Sequence, residues 1–214
     1  MADGRDWVTT EALVLRKTPY SETSLIVAVL TREHGQLHLM LKGARATSKR
    51  AFPEVDLFRR VQVIYLPSHQ TDLYRAKSAQ CLIAYDSVAQ HPEQYRAACW
   101  LLRLALDNSV AHEPAPLLYE ALCVALGRLA APGAAILPIV LGVCFITLDE
   151  LGLQPSAPPE SSTARHLDRM RAFTLTPSEP VPDYPAASWH DLRRWMHRHL
   201  HHVGLRVPPG WELL

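Results

Sequence analysis

The chain has 214 residues, of which 48% are hydrophobic and 20% charged, with a formal net charge of +1. This composition excludes a disordered polymer and allows one large domain or two small ones with a real core. The near-neutral total hides an uneven distribution. Residues 1–80 hold twelve Lys/Arg against eight Asp/Glu, residues 81–160 hold three against eight, and residues 161–214 hold seven against five. A basic first part joined to an acidic middle indicates separate modules with different partners.

The opening MADGRDWVTTE has no basic stretch followed by an apolar one, so no signal peptide is expected. From there the pattern is that of strands. WVTTEALVLRK is rich in β-branched and aromatic residues, and SLIVAVLT (Ser24–Thr31) is an apolar run of strand length followed by the turn REHG. QLHLMLK alternates, placing Leu37, Leu39 and Leu41 on one side and Gln36, His38 and Lys42 on the other. Asp56–Leu66 sets Val61, Val63 and Tyr65 in phase, PSHQTD is a turn cluster, and Leu73–Gln80 is a fifth strand. Five short strands in about 75 residues suit a small barrel.

From residue 85 the period becomes helical. His91-Pro92-Glu93 is a helix start, and Tyr95, Cys99, Leu102 and Leu106 then form one stripe. Pro116–Ala130 repeats the pattern with Leu118, Leu122, Ala125 and Leu129. The longest uncharged run, Leu129–Leu148, contains two prolines and two glycines. Its continuous apolar part is shorter than the ~20 residues a bilayer requires, so it is read as a central buried helix, kinked or begun at Pro138. Leu153–Pro185 is rich in Pro and Ser and reads as an irregular arm. Ala186–Gly204 closes the chain as an amphipathic helix with Trp189, Leu192, Met196, Leu200 and Val203 toward the core. The fold class is therefore α+β: residues 1–80 form a five-stranded barrel, and residues 81–214 form an all-α helical domain.

Several chemistries find no support. There is no Gly-x-Ser-x-Gly, no Gly-x-Gly-x-x-Gly and no phosphate loop, since KGARATSK lacks the second glycine and the Gly-Lys-Ser/Thr order. Cys81, Cys99, Cys123 and Cys144 include no Cys-x-x-Cys pair and read as small buried apolar residues in a reducing cytoplasm. His197 and His201 share a helix face as two metal ligands would, but without a third ligand they read as part of a basic face with Arg194 and Arg198. No catalytic residue, metal or cofactor is assigned.

What remains is a set of cations in the first part. LKGARATSKR gathers Lys42, Arg45, Lys49 and Arg50 with no acid among them. Arg16 and Lys17 end the first strand, Arg59 and Arg60 enter the fourth, and Arg75 and Lys77 alternate on one face of the fifth. Tyr20, Phe52, Phe58, Tyr65 and Tyr74 interleave with them. Two readings stand equally on these residues: stacking platforms beside a phosphate-binding groove, or core aromatics inside a solvated basic rim.

The segment EALVLRKTPYSETSLIVAVLTREHGQLHLMLKGARATSKR resembles the start of the bacterial recombination mediator RecO family. The likeness rests on Tyr20 and Glu22, a strand ending at Thr31, the turn at Gly35, and Lys42–Arg45, in that order and spacing. The resemblance implies an OB-fold barrel joined to a helical domain. It also implies a non-enzymatic, nucleoid-associated cytoplasmic protein that binds single- and double-stranded DNA and anneals complementary strands. With RecR, such a protein helps load recombinase onto DNA coated by single-strand-binding protein, whose acidic C-terminal tail meets the helical domain. In that family the basic barrel surface is the DNA site, so the resemblance carries Lys42, Arg45, Lys49 and Arg50 over first. One departure is plain: many relatives place a cysteine-rich zinc module after the helix matching FITLDELGLQP, where this chain has SAPPESSTARHLDRMRAF and no cysteine. An alternative is an adaptor that binds RecR and single-strand-binding protein with weakened DNA binding.

Overall fold

The computed structural model describes residues 6–45, 54–68, 70–158 and 160–214. Five strands come first: β1 (Val8–Pro19), β2 (Leu25–Thr31), β3 (Gly35–Leu41), β4 (Arg59–Leu66) and β5 (Leu73–Ala84). Five helices follow: α1 (Pro92–Asn108), α2 (Pro116–Leu129), α3 (Ile136–Glu150), α4 (Ser162–Leu175) and α5 (Ala186–His202). The chain forms two compact units. One holds residues up to Tyr85 together with Ser109–Ala115, and the other holds Asp86–Asn108 and Pro116–Leu214.

The strands close into a barrel in the order β1-β2-β3-β5-β4. Neighbours are antiparallel except β3 and β5, which run parallel. This is the OB-fold that the family resemblance implies. β1 makes closure possible by serving two partners, pairing through Val8–Leu13 with β4 and through Ala12–Pro19 with β2. A register shift between Val14 and Arg16 bends the strand between those two tasks. Strand alternation sends Val14, Val29, Leu37, Leu39, Leu41, Val61, Val63 and Tyr65 into one interior cluster. Each such side chain contributes about 1.5–3 kcal/mol on leaving water. The opposite parity faces out: Arg16, Ala28 and His38 pair in a row across β1, β2 and β3. Partial burial lowers the His38 pKa, and the Arg16 charge lowers it further against the weaker pull of Asp72.

In the helical unit, α1 and α2 both begin at proline, whose missing N–H costs nothing at that position. The Leu118 N–H in the first turn of α2 donates to the Glu150 carboxylate of α3 at 2.8 Å. α3 is buried on nearly every face and packs against α1, α2, α4 and α5, as its apolar sequence requires. Pro138 falls in its first turn, where no helical hydrogen bond is lost. Trp100 Nε1 donates to the Pro208 carbonyl at 3.0 Å, and its ring lies 5.3 Å from that of Trp211, tying the last residues to α1. The stripe on α5 is only partly covered: Met196 and Leu200 are buried, whereas Trp189, Leu192 and Val203 are half-buried. Cys123 and Cys144 are buried, Cys81 and Cys99 are half-buried, and all four are free thiols. Burial pushes the Cys144 thiol far above its ordinary range. Among the described residues no helix is long and apolar enough to cross a membrane.

The expected irregular arm over 153–185 is corrected, because α4 occupies its middle. Serine there acts as a cap rather than as loop filler: Ser161 Oγ accepts the Ala164 N–H at 3.1 Å. Met170, Phe173 and Thr174 then fall on one buried face. The prolines that suggested a loop lie outside the helix, before Ser161 and after Leu175. Arg128 at the end of α2 holds the far end of α4. Its Nη2 donates to the carbonyls of Phe173, Thr176 and Glu179 at 3.0, 2.9 and 2.6 Å, and its guanidinium lies 4.2 Å from the Phe173 ring centre. Gly142 of α3 leaves room for Thr174, since a Cβ there would stand 2.2 Å from Thr174 Oγ1.

Gly142→Ala is therefore expected to destabilise the helical unit by about 1–3 kcal/mol in urea unfolding, the usual cost of overpacking. Gly142→Ala combined with Thr174→Ala should recover most of that loss, giving a coupling clearly different from zero. A pH dependence follows from His38. The folded state binds its proton less readily than the unfolded chain, so stability is full above the ordinary value of 6.5 and declines as pH falls below it. Melting temperature should therefore drop from pH 7.5 to 5.5, and His38→Gln should make that drop smaller.

Candidate nucleic-acid interface

At one end of the barrel the β1–β2 turn and the segment after β3 are laced together. The Arg45 N–H donates to the Thr23 carbonyl at 3.0 Å, and Arg45 Nη1 donates to the Ser21 carbonyl at 2.7 Å. Ser21 Oγ accepts the Ser24 N–H at 3.2 Å, which closes the turn on itself. Gly43, at φ +78°, reverses the chain directly after β3 in a conformation other residues avoid. Lys42 and Arg45 are consequently exposed on either side of this reversal, beside the β1–β2 turn. That turn begins with Tyr20, which is 61% exposed.

The remaining cations divide by what they touch. Lys17 is in phase with the interior residues at the barrel end, and its Nζ meets Asp56 Oδ1 at 2.8 Å. Burial pushes the Asp56 carboxyl up, but the Lys17 hydrogen bond, the Leu57 N–H and the charges of Lys17 and Arg59 together hold it below its ordinary value. Lys17 thus ties the entry of β4 to the end of β1. Arg59 Nη1 donates to the Glu54 carbonyl at 3.3 Å, and Glu54 Oε2 accepts the Cys81 N–H at 2.6 Å. Arg60 Nε lies 3.4 Å from Glu11 on the neighbouring strand. Arg16 is exposed beside His38 on the outward row leading to the barrel end. Arg75 and Lys77 are exposed on the outer face of β5, Arg75 next to Met40 of β3 and Lys77 with its Nζ 5.3 Å from the Trp7 ring centre. Lys49, Arg50 and Phe52 lie outside the described residues.

Of the two equal readings of the aromatics, the core reading holds for three members. Phe58, Tyr65 and Tyr74 are all buried, and the last two belong to the barrel's interior cluster, so they serve as core and not as platforms. Strand parity decides this: Tyr65 is in phase with Val61 and Val63. Tyr20 alone of the described members is exposed. Sequence reasoning missed Asp56, whose carboxylate meets Lys17, and Glu54, whose carboxylate accepts the Cys81 N–H, because both depend on the segment before β4 returning to the barrel end. On α5, His197 and His201 place their Nε2 atoms 3.2 Å apart, and the His197 ring stacks on Trp211. Burial lowers the His197 pKa, and the His201 charge lowers it further.

A second feature lies wholly within the helical unit. Phe145 of α3, Leu167 and Met170 of α4, Leu192 and Trp195 of α5, and Tyr184 before α5 line an apolar cavity of about 650 Å³. Trp195 stacks on Phe145 at 5.9 Å and on His199 at 4.8 Å, and Tyr184 accepts or donates a hydrogen bond at His166 Nδ1, 3.2 Å away. Burial raises the Tyr184 pKa while the Arg169 charge opposes that rise. This cavity exists because α4 is a helix, and reading residues 153–185 as an arm concealed it.

Residues 5–85 match the family model described as Recombination protein O N terminal. A protein named DNA repair protein RecO from Exiguobacterium sibiricum is 35% identical over 113 residues, covering 51% of this chain and 43% of the relative. One of the same name from Bifidobacterium animalis subsp. lactis is 34% identical over 121 residues, covering 56% and 50%. Another from Cyanothece sp. is 23% identical over 176 residues, covering 82% and 55%. The chain thus spans about half the length of the curated relatives it matches. The matched stretch contains all five strands of the barrel, whose closure and strand order are those of an OB-fold, and over that stretch the chain is similar to the N-terminal domain of the RecO family.

Proposed function

We propose that this chain is a non-enzymatic mediator of DNA repair and homologous recombination whose barrel is its DNA-binding domain. In this reading it binds single- and double-stranded DNA and anneals complementary strands. With RecR it helps load recombinase onto single-stranded DNA coated by single-strand-binding protein, at the nucleoid. The observation that carries the reading is the exposure of Lys42 and Arg45 around the Gly43 reversal, beside exposed Tyr20. Cations on a rigid barrel end neutralise phosphates, and one free aromatic face offers a stack to an unpaired base. Two strands held on one cationic surface repel each other less, which is what annealing requires. Lys49 and Arg50 continue the same basic run in sequence.

The helical cavity is the place we assign to the acidic tail of single-strand-binding protein. An apolar cavity walled by α4, where exposed Arg169 directly precedes the lining residue Met170, suits a short peptide that combines carboxylates with apolar side chains. A second reading, an adaptor for RecR and single-strand-binding protein with weakened DNA binding, is favoured by one observation. Lys17, Arg45, Arg59 and Arg60 already meet groups of the barrel itself.

Salt dependence separates the two readings. If Lys42, Arg45, Lys49 and Arg50 each meet one phosphate of single-stranded DNA, log K falls with log salt at a slope near −3, about 0.7 per contact. Replacing all four by alanine should flatten that slope nearly to zero, and an unchanged slope would reject this placement. For the tail, Leu167→Asp should weaken a fluorescent acidic tail peptide at least about tenfold in anisotropy titrations, the effect of a charge placed in an apolar site. DNA affinity should stay unchanged in that variant.

A further inference from the structure

The barrel unit contains a second, smaller pocket that the DNA reading does not use. Residues Ser109–Ala115, which connect α1 to α2 in sequence, belong to the barrel unit. Ser109 Oγ donates to Gln36 Oε1 at 2.8 Å, the Gln36 N–H donates to the Val110 carbonyl at 3.3 Å, and Ala111 bridges Gly35 and Gln36. The approach is close enough to demand glycine at 35. Its φ is +59°, and a Cβ would stand 2.0 Å from the Glu113 carbonyl oxygen. This strap holds His112 in the left-handed region, φ +66°, a conformation a non-glycine residue adopts only when its surroundings impose it. His112 Nε2 thereby meets the Tyr74 hydroxyl at 3.0 Å and Asp72 Oδ1 at 3.5 Å.

The result is a pocket of about 220 Å³ walled by Val8, His34, Tyr65, Pro67, Tyr74 and His112. The rings are mutually packed, with Tyr65 and Tyr74 centred 5.6 Å apart, His112 5.7 Å from Tyr74 and His34 6.3 Å from Tyr65. Carboxylates neighbour its lining residues. Asp72 is 85% exposed, and among the described residues no Lys or Arg forms a salt bridge with it. Glu33 precedes His34 and accepts from Thr10 Oγ1 at 3.3 Å, and exposed Glu113 follows His112. Arg32 is the basic residue of the same turn, while Arg75 lies on the opposite face of β5 from Tyr74.

We propose that this pocket receives an arginine side chain presented by a partner protein. A guanidinium is planar and weakly hydrated, so it stacks on the exposed His112 and half-buried His34 rings, above a floor formed by the buried Tyr65 and Tyr74, while its fork of N–H donors reaches a carboxylate such as Asp72. A nucleobase would match the rings but would bring its phosphate toward Asp72, Glu33 and Glu113. This inference stands apart from the DNA reading, because it concerns other residues and an opposite charge.

The probe is acetyl-Gly-Arg-Gly-amide, added to the full chain with the histidine and tyrosine rings followed by NMR. The expected result is saturable shifts of the His34, His112 and Tyr74 signals at millimolar peptide. The isosteric citrulline peptide should bind at least about threefold more weakly, and Asp72→Asn should weaken the arginine peptide by a similar factor, as expected of an exposed ion pair. Asp72 is a surface loop residue, so this variant should fold normally. Tyr74→Phe, which removes the bond to His112, is a second variant expected to weaken the peptide. Absence of saturable shifts, equal binding of citrulline, or tighter binding of adenosine monophosphate than of the arginine peptide would each overturn the proposal. DNA binding is not read in this experiment, so its outcome leaves the DNA assignment untouched.

Discussion

Everything proposed for the barrel depends on β1 pairing with two strands at once. Its first half closes the cylinder against β4, its second half opens the β2–β3 hairpin, and the register shift after Val14 bends it between the two. An open sheet would leave edges that must be covered or charged. Closure removes that need and leaves the two barrel ends available. It also converts positions distant in sequence into neighbours: Lys17 meets Asp56, and Arg45 meets Ser21 and Thr23.

The ends of the barrel then acquire opposite chemistry. One collects Lys42 and Arg45 with an exposed tyrosine. The aromatic pocket elsewhere on the unit has Asp72 against its His112, with Glu33 and Glu113 adjacent in sequence to its histidines. A protein near neutrality overall can hold both, because a Debye length of ~8–10 Å keeps separate patches from cancelling. The same cations show why a charge count overstates a binding site. Lys17 and Arg60 are partnered by carboxylates of the barrel, so part of the basic sequence serves closure rather than ligand.

In the helical unit the organising contact is Arg128, which satisfies three carbonyls around the end of α4 while its guanidinium covers Phe173. A helix C-terminus leaves carbonyls without partners, and a planar donor fork answers that need well. With α4 held there and Gly142 allowing Thr174 to approach α3, the wall of the apolar cavity is in place.

Much was legible from the residues by themselves. Period-two alternation identified the inward faces of β3 and β4, the proline starts marked α1 and α2, and the apolar run that became α3 announced its central place. These signals are local, set by backbone geometry and by which side chains leave water. Three matters were decided only by tertiary structure. The parity of Tyr65 and Tyr74 buried them in a closed barrel, although as isolated aromatics they looked equally fit to stack bases. The Pro- and Ser-rich stretch hid α4, because its stability comes from Arg128 and from burial of Met170 and Phe173, neither of which a composition reading can see. The residues between α1 and α2 joined the barrel because Gly35 lacks a side chain, a steric permission that exists only once the two segments are brought together.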